Sequence, residues 1–344
     1  MMNRIPYLDC IRGFAMLLVV YCHVSAVSFG IPEKTGFCYD TVSLLHLPIL
    51  FFLSGFLMYR EERFGKESRF PFRFLGKKAK ELIIPALIFV TVFAVWKHRS
   101  LDSVVFSQFK GEYWFTPFLI LFMLLYLAGY FPLRRFLSGK NAARVLFVIA
   151  VAVSFVPTLL DILCPEWTSS RTAAALSYQN FKYFQFFAFG ALIRSEFAAL
   201  ERIMDSAAGK TVMILTPFLL LLLHHIGIAH WGFLIDWAFS LSAVLLVFLF
   251  FRSAGKVCEG KAGRWLSFAG RRSLDIYFLH FFFLPDLHPL GAWFVETGNP
   301  FLEFCAAVPL VLALTAVCLL LGSVLRKSDT LARLLFGKED IIHG

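Results

Sequence analysis

Charged residues are scarce in this sequence. Asp, Glu, Lys and Arg together make up 16% of its 344 residues, whereas 59% are hydrophobic, and the mean hydropathy is +0.72. No stretch has enough polar surface to form a separate soluble domain. We therefore predict an integral membrane protein with one transmembrane domain, residues 1–330, followed by a short cytoplasmic tail, 331–344.

Paired cysteine spacing and glycine-rich loops are missing as well, although Cys38 and Cys164, both in predicted outer loops, could form a disulfide or stay free thiols. The seven cysteines lack the spacing of a zinc motif, and no Gly-rich phosphate loop or internal repeat is visible. The sequence therefore predicts no metal site and no bound cofactor. Gly55, Gly190 and Gly322 lie inside apolar runs, where close helix packing accounts for them.

Long apolar runs are abundant instead. A helix needs about 20 apolar residues to cross a membrane, and helices satisfy their backbone hydrogen bonds in lipid. The runs predict an all-α, polytopic transmembrane helix bundle of about ten spans, of which the sixth and ninth are short or aromatic-rich. These spans are 7–29, 42–59, 82–97, 113–131, 145–163, 181–194, 211–228, 234–251, 273–287 and 301–325.

Basic residues are distributed unevenly between the connecting segments. Most of the 33 Lys and Arg residues fall in alternate segments, which predicts by the positive-inside rule that these segments and both termini are cytoplasmic. The net charge of +10 then reflects topology and attraction to anionic membrane lipid. Nucleic acid is not an expected partner. The basic segments are 1–6, 60–81, 132–144, 194–210, 252–272 and 326–344.

The first predicted helix carries two polar residues, Arg12 and His23. Eleven residues of regular helix advance about 16 Å and return to nearly the same face. Arg at a helix centre costs roughly 2.5–3.5 kcal/mol unless it meets a partner or water, so this face predicts a polar passage and a retained helix rather than a cleaved signal peptide. Asp9 is the expected ion-pair partner of Arg12, and a purely structural pair is an equal alternative.

Other polar residues are candidates for lining the passage or the acceptor site. His46 and Trp114 lie near the predicted outer side, and Tyr277 and His280 share a helix face in 273–287. A packing histidine bonded to a neighbouring helix is the alternative for His280. A looser set at the outer side forms a candidate acceptor vestibule: Glu112, Asp161, His224, His225, His230, Trp231 and Asp236.

Two stretches, "YLDCIRGFAMLLVVYCHV" (7–24) and "LPILFFLSGFLMYR" (47–60), resemble the start of membrane-bound acyltransferase family 3. These polytopic enzymes acylate exported sugars and lipid-linked glycans. The first helix of the family has Arg, ten residues and His, matched by Arg12 and His23. Its second helix has Phe-Phe-x-x-Ser-Gly-Phe, matched around Ser54 and Gly55. "YWFTPFL" and "RRSLDIYFLH" are weaker matches, which contain Trp114, Tyr277 and His280.

The resemblance implies transfer of an acyl group, most simply acetyl, from cytosolic acyl-CoA to a hydroxyl of an exported or lipid-linked saccharide, in the bacterial inner membrane. It implies the short form without an appended hydrolase-like domain. His23 would accept the hydroxyl proton, and Arg12 and Ser54 would contact the donor. An acyl relay through a protein group is an alternative course. A transporter or flippase for a glycan or lipid is the alternative function, disfavoured by the missing repeat.

The donor phosphates are expected in the basic loop before the third span. Family members commonly carry Arg-x-x-Arg there, whereas this chain has Lys78 and Glu81, so the bidentate guanidinium fork is lost. The remaining cations could hold phosphates as point charges. Topology and lipid headgroups explain them equally well. The candidate donor-binding cations are Arg73, Lys77, Lys78 and Lys80.

Overall fold

The computed structural model describes residues 5–32, 37–60, 64, 70–110, 112–226 and 232–337, and all regular elements within them are helical. The predicted all-α fold is thereby confirmed. A π-helical turn, Val24–Ser28, follows α1, and 3-10 turns cover Tyr178–Tyr183 and His280–Phe282. The α-helices are α1 Pro6–His23, α2 Phe37–Ser43, α3 His46–Met58, α4 Phe72–Trp96, α5 Leu101–Val105, α6 Phe115–Leu133, α7 Gly139–Leu163, α8 Pro165–Thr168, α9 Arg171–Leu176, α10 Phe184–Ser195, α11 Phe197–Asp205, α12 Ala207–Ile226, α13 Gly232–Ser253, α14 Gly255–Glu259, α15 Lys261–Arg271, α16 Ser273–Leu279, α17 His288–Thr297, α18 Pro300–Leu325 and α19 Asp329–Phe336.

Among the described residues, eight helical stretches are long and apolar enough to cross a membrane. They coincide with eight of the ten predicted spans. The predicted spans 181–194 and 273–287 correspond to shorter helices, α10 with 12 residues and α16 with 7. The count of ten spans and the cytoplasmic termini stay predictions.

The described chain packs as two units. The described residues of unit 1 fall within Met1–Leu50 and Ala198–Ser323, and those of unit 2 fall within Phe51–Phe197 and Val324–Gly344. The boundaries fall inside α3, α11 and α18, so these helices belong partly to each unit. The single domain over 1–330 stays a prediction.

One segment differs from its predicted form, and part of the predicted tail forms a helix. The basic stretch 72–81, predicted as a loop, is the helical start of α4. Lys78 pairs with Glu81 one turn later, and such pairs support a helix. Part of the predicted tail is also helical, because Ser328 caps α19 and Phe336 is buried at its end. Residues 338–344 lie outside the described range.

In unit 1, α1 and α15 cross at two glycines. A Cβ added to Gly13 would lie 2.0 Å from the Leu266 carbonyl oxygen, and one added to Gly270 would lie 1.9 Å from the Asp9 carbonyl oxygen. Real Cβ atoms do not approach so closely, so only glycine allows this contact. We call this contact the Gly13–Gly270 crossing.

In unit 2, α3 and α10 make a similar crossing. A Cβ added to Gly55 or Gly190 would lie 1.9 Å from the carbonyl oxygen of Phe187 or Phe52 respectively. In unit 1, a Cβ on Gly322 would lie 2.5 Å from the Asp275 carboxylate. The prediction that close packing accounts for these three glycines is confirmed.

We expect Gly13→Ala to lower the free energy of unfolding by about 1–3 kcal/mol, because the new methyl group overpacks the helix contact. The measurement is thermal unfolding of the detergent-purified protein. Gly76→Ala in α4 is the matched control, since nothing lies within 4 Å of its added Cβ. That control should gain up to about 1 kcal/mol from helix propensity. Equal melting temperatures for the two variants would contradict the crossing.

Candidate functional site

The first helix ends at His23, and the chain then makes one π-helical turn. A hydrogen bond from the Phe29 N–H to the Val24 carbonyl, 2.9 Å, closes the turn. π turns are rare and occur often at functional sites. His23 is half-buried, whereas Val24 and Ser25 beside it are fully buried. Of these three side chains, the imidazole is thus the one that is partly accessible.

The imidazoles of His23 and His280 form a pair in unit 1. His23 Nδ1 lies 3.0 Å from His280 Nε2, and the rings are stacked with centroids 5.0 Å apart. His280 is fully buried in the 3-10 turn after α16. The Phe281 ring lies 4.5 Å from the His23 ring. Two residues distant in sequence therefore share one hydrogen bond.

The partners of His280 fix where the protons lie in the neutral pair. His280 Nδ1 is 2.8 Å from the Ile276 carbonyl oxygen, which only accepts, so Nδ1 carries the hydrogen. His280 Nε2 is then an acceptor, and His23 Nδ1–H donates to it. His23 Nε2 consequently has a lone pair available to take a proton. This is the tautomer that a general base requires.

Both histidines follow the Gly13–Gly270 crossing at equal distance. His23 is ten residues after Gly13, and His280 is ten residues after Gly270. The crossing fixes the register of α1 against α15. Because each histidine is ten residues beyond its glycine, this register brings the two imidazoles to the same level. The equal spacing is visible in the sequence but gains meaning only once the crossing is known.

Glu303 is a buried carboxylate beside the same segment. It accepts hydrogen bonds from the Tyr21 hydroxyl, 2.8 Å, and the Ser25 hydroxyl, 2.5 Å, and is 3% exposed. These donors flank His23 by two residues on either side. Glu303 therefore holds the end of α1 and the π turn together. Sequence reasoning missed it, although an acidic residue in the apolar run 301–325 was a usable signal.

Arg12 and Asp9 lie on the first turns of α1. Their closest charged atoms are 3.9 Å apart, at the long limit of an ion pair, and their side chains are 32% and 13% exposed. α1 is a continuous helix from Pro6 to His23, so Arg12 and His23 share a face about 16 Å apart. Two roles for Arg12, contact with the donor and a structural ion pair with Asp9, therefore stay predictions.

Two further predicted residues of unit 1, and one that was not predicted, lie close in sequence or space to the histidine pair. His46 Nδ1 is 3.0 Å from the Val42 carbonyl oxygen and 3.6 Å from Cys22 Sγ, next to His23. Tyr277 is buried on α16, three residues before His280. Asp275 on the same helix is fully buried and pairs with Arg272 at 3.4 Å; it was not predicted.

The remaining predicted site residues belong to unit 2. Trp114 is buried and stacks on Tyr183, with centroids 5.7 Å apart. Ser54 is half-buried and precedes the crossing residue Gly55. Phe51 in the same motif packs on Phe122 with centroids 5.1 Å apart. The Phe-Phe-x-x-Ser-Gly-Phe motif therefore builds the core of this unit around Ser54.

The candidate donor-binding cations lie on the first three turns of α4. Lys78 Nζ is 2.6 Å from a Glu81 carboxylate oxygen, and Lys77 Nζ is 4.0 Å from the other oxygen. Arg73, Lys77 and Lys80 are exposed. Glu81 thus occupies Lys78 and leaves three cations accessible from the surface.

The candidate acceptor vestibule is divided between the units. In unit 1, His224 Nδ1 contacts Asp236 Oδ1 at 2.5 Å, and His225 stacks on Phe37. In unit 2, Asp161 accepts a hydrogen bond from Tyr178. His230 and Trp231 lie outside the described residues. Glu112 immediately precedes the Tyr113–Trp114 pair.

Comparison with protein families decides the class. A model of the acyltransferase 3 family, described as an acyltransferase domain, matches residues 5–322. The chain belongs to acyltransferase family 3. Searches of curated proteins and of solved structures gave no match. The matched region of this acyltransferase contains the histidine pair, Glu303 and the basic start of α4. The family favours acyl transfer by a membrane protein over the transporter alternative.

We expect His280→Phe to lower the rate of acyl transfer by about 10²-fold, because His23 loses the acceptor that orients its Nδ1–H. His280→Gln, whose amide oxygen can still accept, should retain more of the rate. Saturation kinetics in detergent measure both, with unchanged KM values. His288→Phe at an exposed histidine is the control. Equal losses for the Phe and Gln variants of His280 would contradict the orienting role.

Glu112 gives this acyltransferase a pH-dependent stability. Burial raises the pKa of Glu112 from 4.5 to about 7, opposed in part by Arg99. The folded state therefore binds a proton that the unfolded state releases, and stability falls as pH rises from about 4.5 to about 7. Glu112→Gln should raise the melting temperature by about 2–4 °C at pH 8 and less at pH 5. The same rise at both pH values would contradict this assignment.

Proposed function

We propose that this acyltransferase moves an acyl group, in the first place acetyl, from cytosolic acyl-CoA to a hydroxyl of an exported or lipid-linked saccharide. The observation that supports it best is the hydrogen bond between His23 and His280, which leaves His23 Nε2 free to accept a proton. A hydroxyl acceptor needs such a base, because its ordinary pKa keeps it protonated.

The transfer is a direct displacement at the thioester. His23 Nε2 takes the hydroxyl proton while the hydroxyl oxygen attacks the thioester carbonyl carbon. The carbon–sulfur bond then breaks, and the leaving thiolate takes the proton from His23, which gives an ester and free CoA. The His23 imidazolium keeps its Nδ1–H bond to His280 throughout, so no second proton moves. Trp114, His46 and Tyr277 are assigned to the passage or the acceptor.

The donor is assigned to the cationic residues of the chain. Arg73, Lys77 and Lys80 on α4 hold the CoA phosphates as point charges, and Lys78 joins them only if it leaves Glu81. Arg12 and Ser54 are assigned to deeper parts of the donor, and Asp9 to the pairing of Arg12. The location that fits a cytosolic donor and an exported acceptor is the bacterial inner membrane.

His23→Ala should abolish transfer of [14C]acetyl from acetyl-CoA to saccharide while acetyl-CoA still stabilises the purified variant against heat. Loss of the base stops the reaction without removing the donor contacts. Normal transfer by a folded His23→Ala variant would refute the proposed function. No thermal shift of the unsubstituted protein at saturating acetyl-CoA would refute the donor assignment.

The phosphate assignment has its own test. Replacing Arg73, Lys77 and Lys80 together by Gln should raise the KM for acetyl-CoA at least about tenfold, equivalent to 1.4 kcal/mol. For 3′-dephospho-acetyl-CoA the same variant should show a smaller increase, because one charge partner is already absent. Lys97→Gln at the opposite end of α4 is the control. Equal increases in KM for both substrates would indicate that these cations set the membrane topology or bind lipid headgroups instead of the CoA phosphates.

A further inference from the structure

Five buried polar atoms in unit 2 lack a hydrogen-bond partner among the described residues. Three of them lie in two neighbouring segments: the side-chain nitrogens of Gln108 and Asn180 and the hydroxyl of Thr116. The other two are the Tyr126 hydroxyl and a Glu196 carboxylate oxygen. Thr116 is 0% and Asn180 is 3% exposed. Leaving such a group unpaired costs about 1–3 kcal/mol, and more than about 90% of buried polar groups are paired. Three unpaired groups in neighbouring segments therefore indicate that something else supplies the partners.

The three groups lie on two segments that contact each other. Lys110 Nζ donates to the Ala175 carbonyl oxygen at 2.7 Å. The Trp114 and Tyr183 rings are stacked with centroids 5.7 Å apart, and the Phe118 and Phe181 rings meet edge-on at 5.6 Å. Residues 108–110 and 112–118 of the first segment and residues 175–183 of the second are thus joined at three points. Gln108 and Thr116 belong to the first segment, and Asn180 belongs to the second.

This region is at the N-terminal end of α6, and the opposite end of α6 is basic. Arg134 and Arg135 follow its last residue, Leu133, and the Arg134 guanidinium lies 4.3 Å from the Phe131 ring. By the positive-inside rule the basic end is cytoplasmic. The three unpaired groups are then on the outer side of the membrane, where an exported acceptor is found.

The chemistry of the groups selects the ligand. Two amide nitrogens donate, one hydroxyl donates and accepts, and Trp114 and Tyr183 contribute aromatic surface beside them. Two cations of these segments are engaged by the protein: Lys110 is bound to the carbonyl oxygens of Val105 and Ala175, and Lys182 lies over the Tyr183 ring. An acyl chain needs no hydrogen-bond donors, whereas a sugar needs both donors and an apolar face.

We propose that Gln108, Thr116, Asn180 and the Trp114–Tyr183 pair form a subsite for a neutral sugar unit of the acceptor saccharide. The subsite rests on the proposed function for the identity of its ligand. Binding of the sugar would supply hydrogen-bond partners to the three buried groups. The Thr315 hydroxyl in unit 1 is also buried and unpaired among the described residues.

The test uses the full chain in detergent, [14C]acetyl-CoA and envelope saccharide extracted from the source cells and de-esterified with mild alkali. Thr116→Val and Asn180→Leu should each raise the half-saturating saccharide concentration about tenfold or more, and change that for acetyl-CoA less than about twofold. Thr315→Val is the matched control, because it removes an equally buried and unpaired hydroxyl from unit 1. It should leave both concentrations unchanged.

Two failures are distinguishable. If the unsubstituted protein transfers acetyl but Thr116→Val and Asn180→Leu behave like Thr315→Val, the subsite is refuted and the proposed function stands. If the unsubstituted protein transfers nothing to the saccharide, the proposed function is refuted. Saccharide-induced quenching of tryptophan fluorescence, lost in Trp114→Phe, would then still support the subsite, and its absence would refute the subsite as well.

Discussion

The close contact of two backbones at Gly13 and Gly270 is the constraint on which the histidine pair of unit 1 depends. Lipid offers no hydrophobic force to press helices together, so their positions are set by how closely the surfaces fit. Here each glycine lets a carbonyl oxygen of the facing helix come so close that a side-chain methyl group would collide with it. Ten residues further along each segment, the imidazoles meet at 3.0 Å.

Hydropathy predicted most of the fold, because apolar length is what lipid requires. It placed the beginning of the third helix ten residues late, since Arg73 to Lys80 are too polar to register as a span although they are helical. Hydropathy also predicted one continuous span over 273–287. In the structure, α16 ends at Leu279 and His280 begins a 3-10 turn. Such stops are decided by partners distant in sequence.

The candidate site could be predicted residue by residue but not contact by contact. Arg12, His23 and His280 are conspicuous because a membrane span rarely tolerates them. That His280 orients His23 depends on the packing of α1 against α15, which no local pattern reveals. Glu303 was within reach of the same reasoning, whereas its donors Tyr21 and Ser25 were not, since both are unremarkable in a first helix.

The π turn after His23 has a consequence for comparing relatives of this chain. Each residue rotates a helix by about 100°, so the widened turn over Val24–Ser28 changes which side chains face Glu303. A homologue with one residue fewer between its histidine and the loop would carry an ordinary α turn there. Its serine would point elsewhere, and an alignment without a gap at this place would equate side chains that occupy different surroundings.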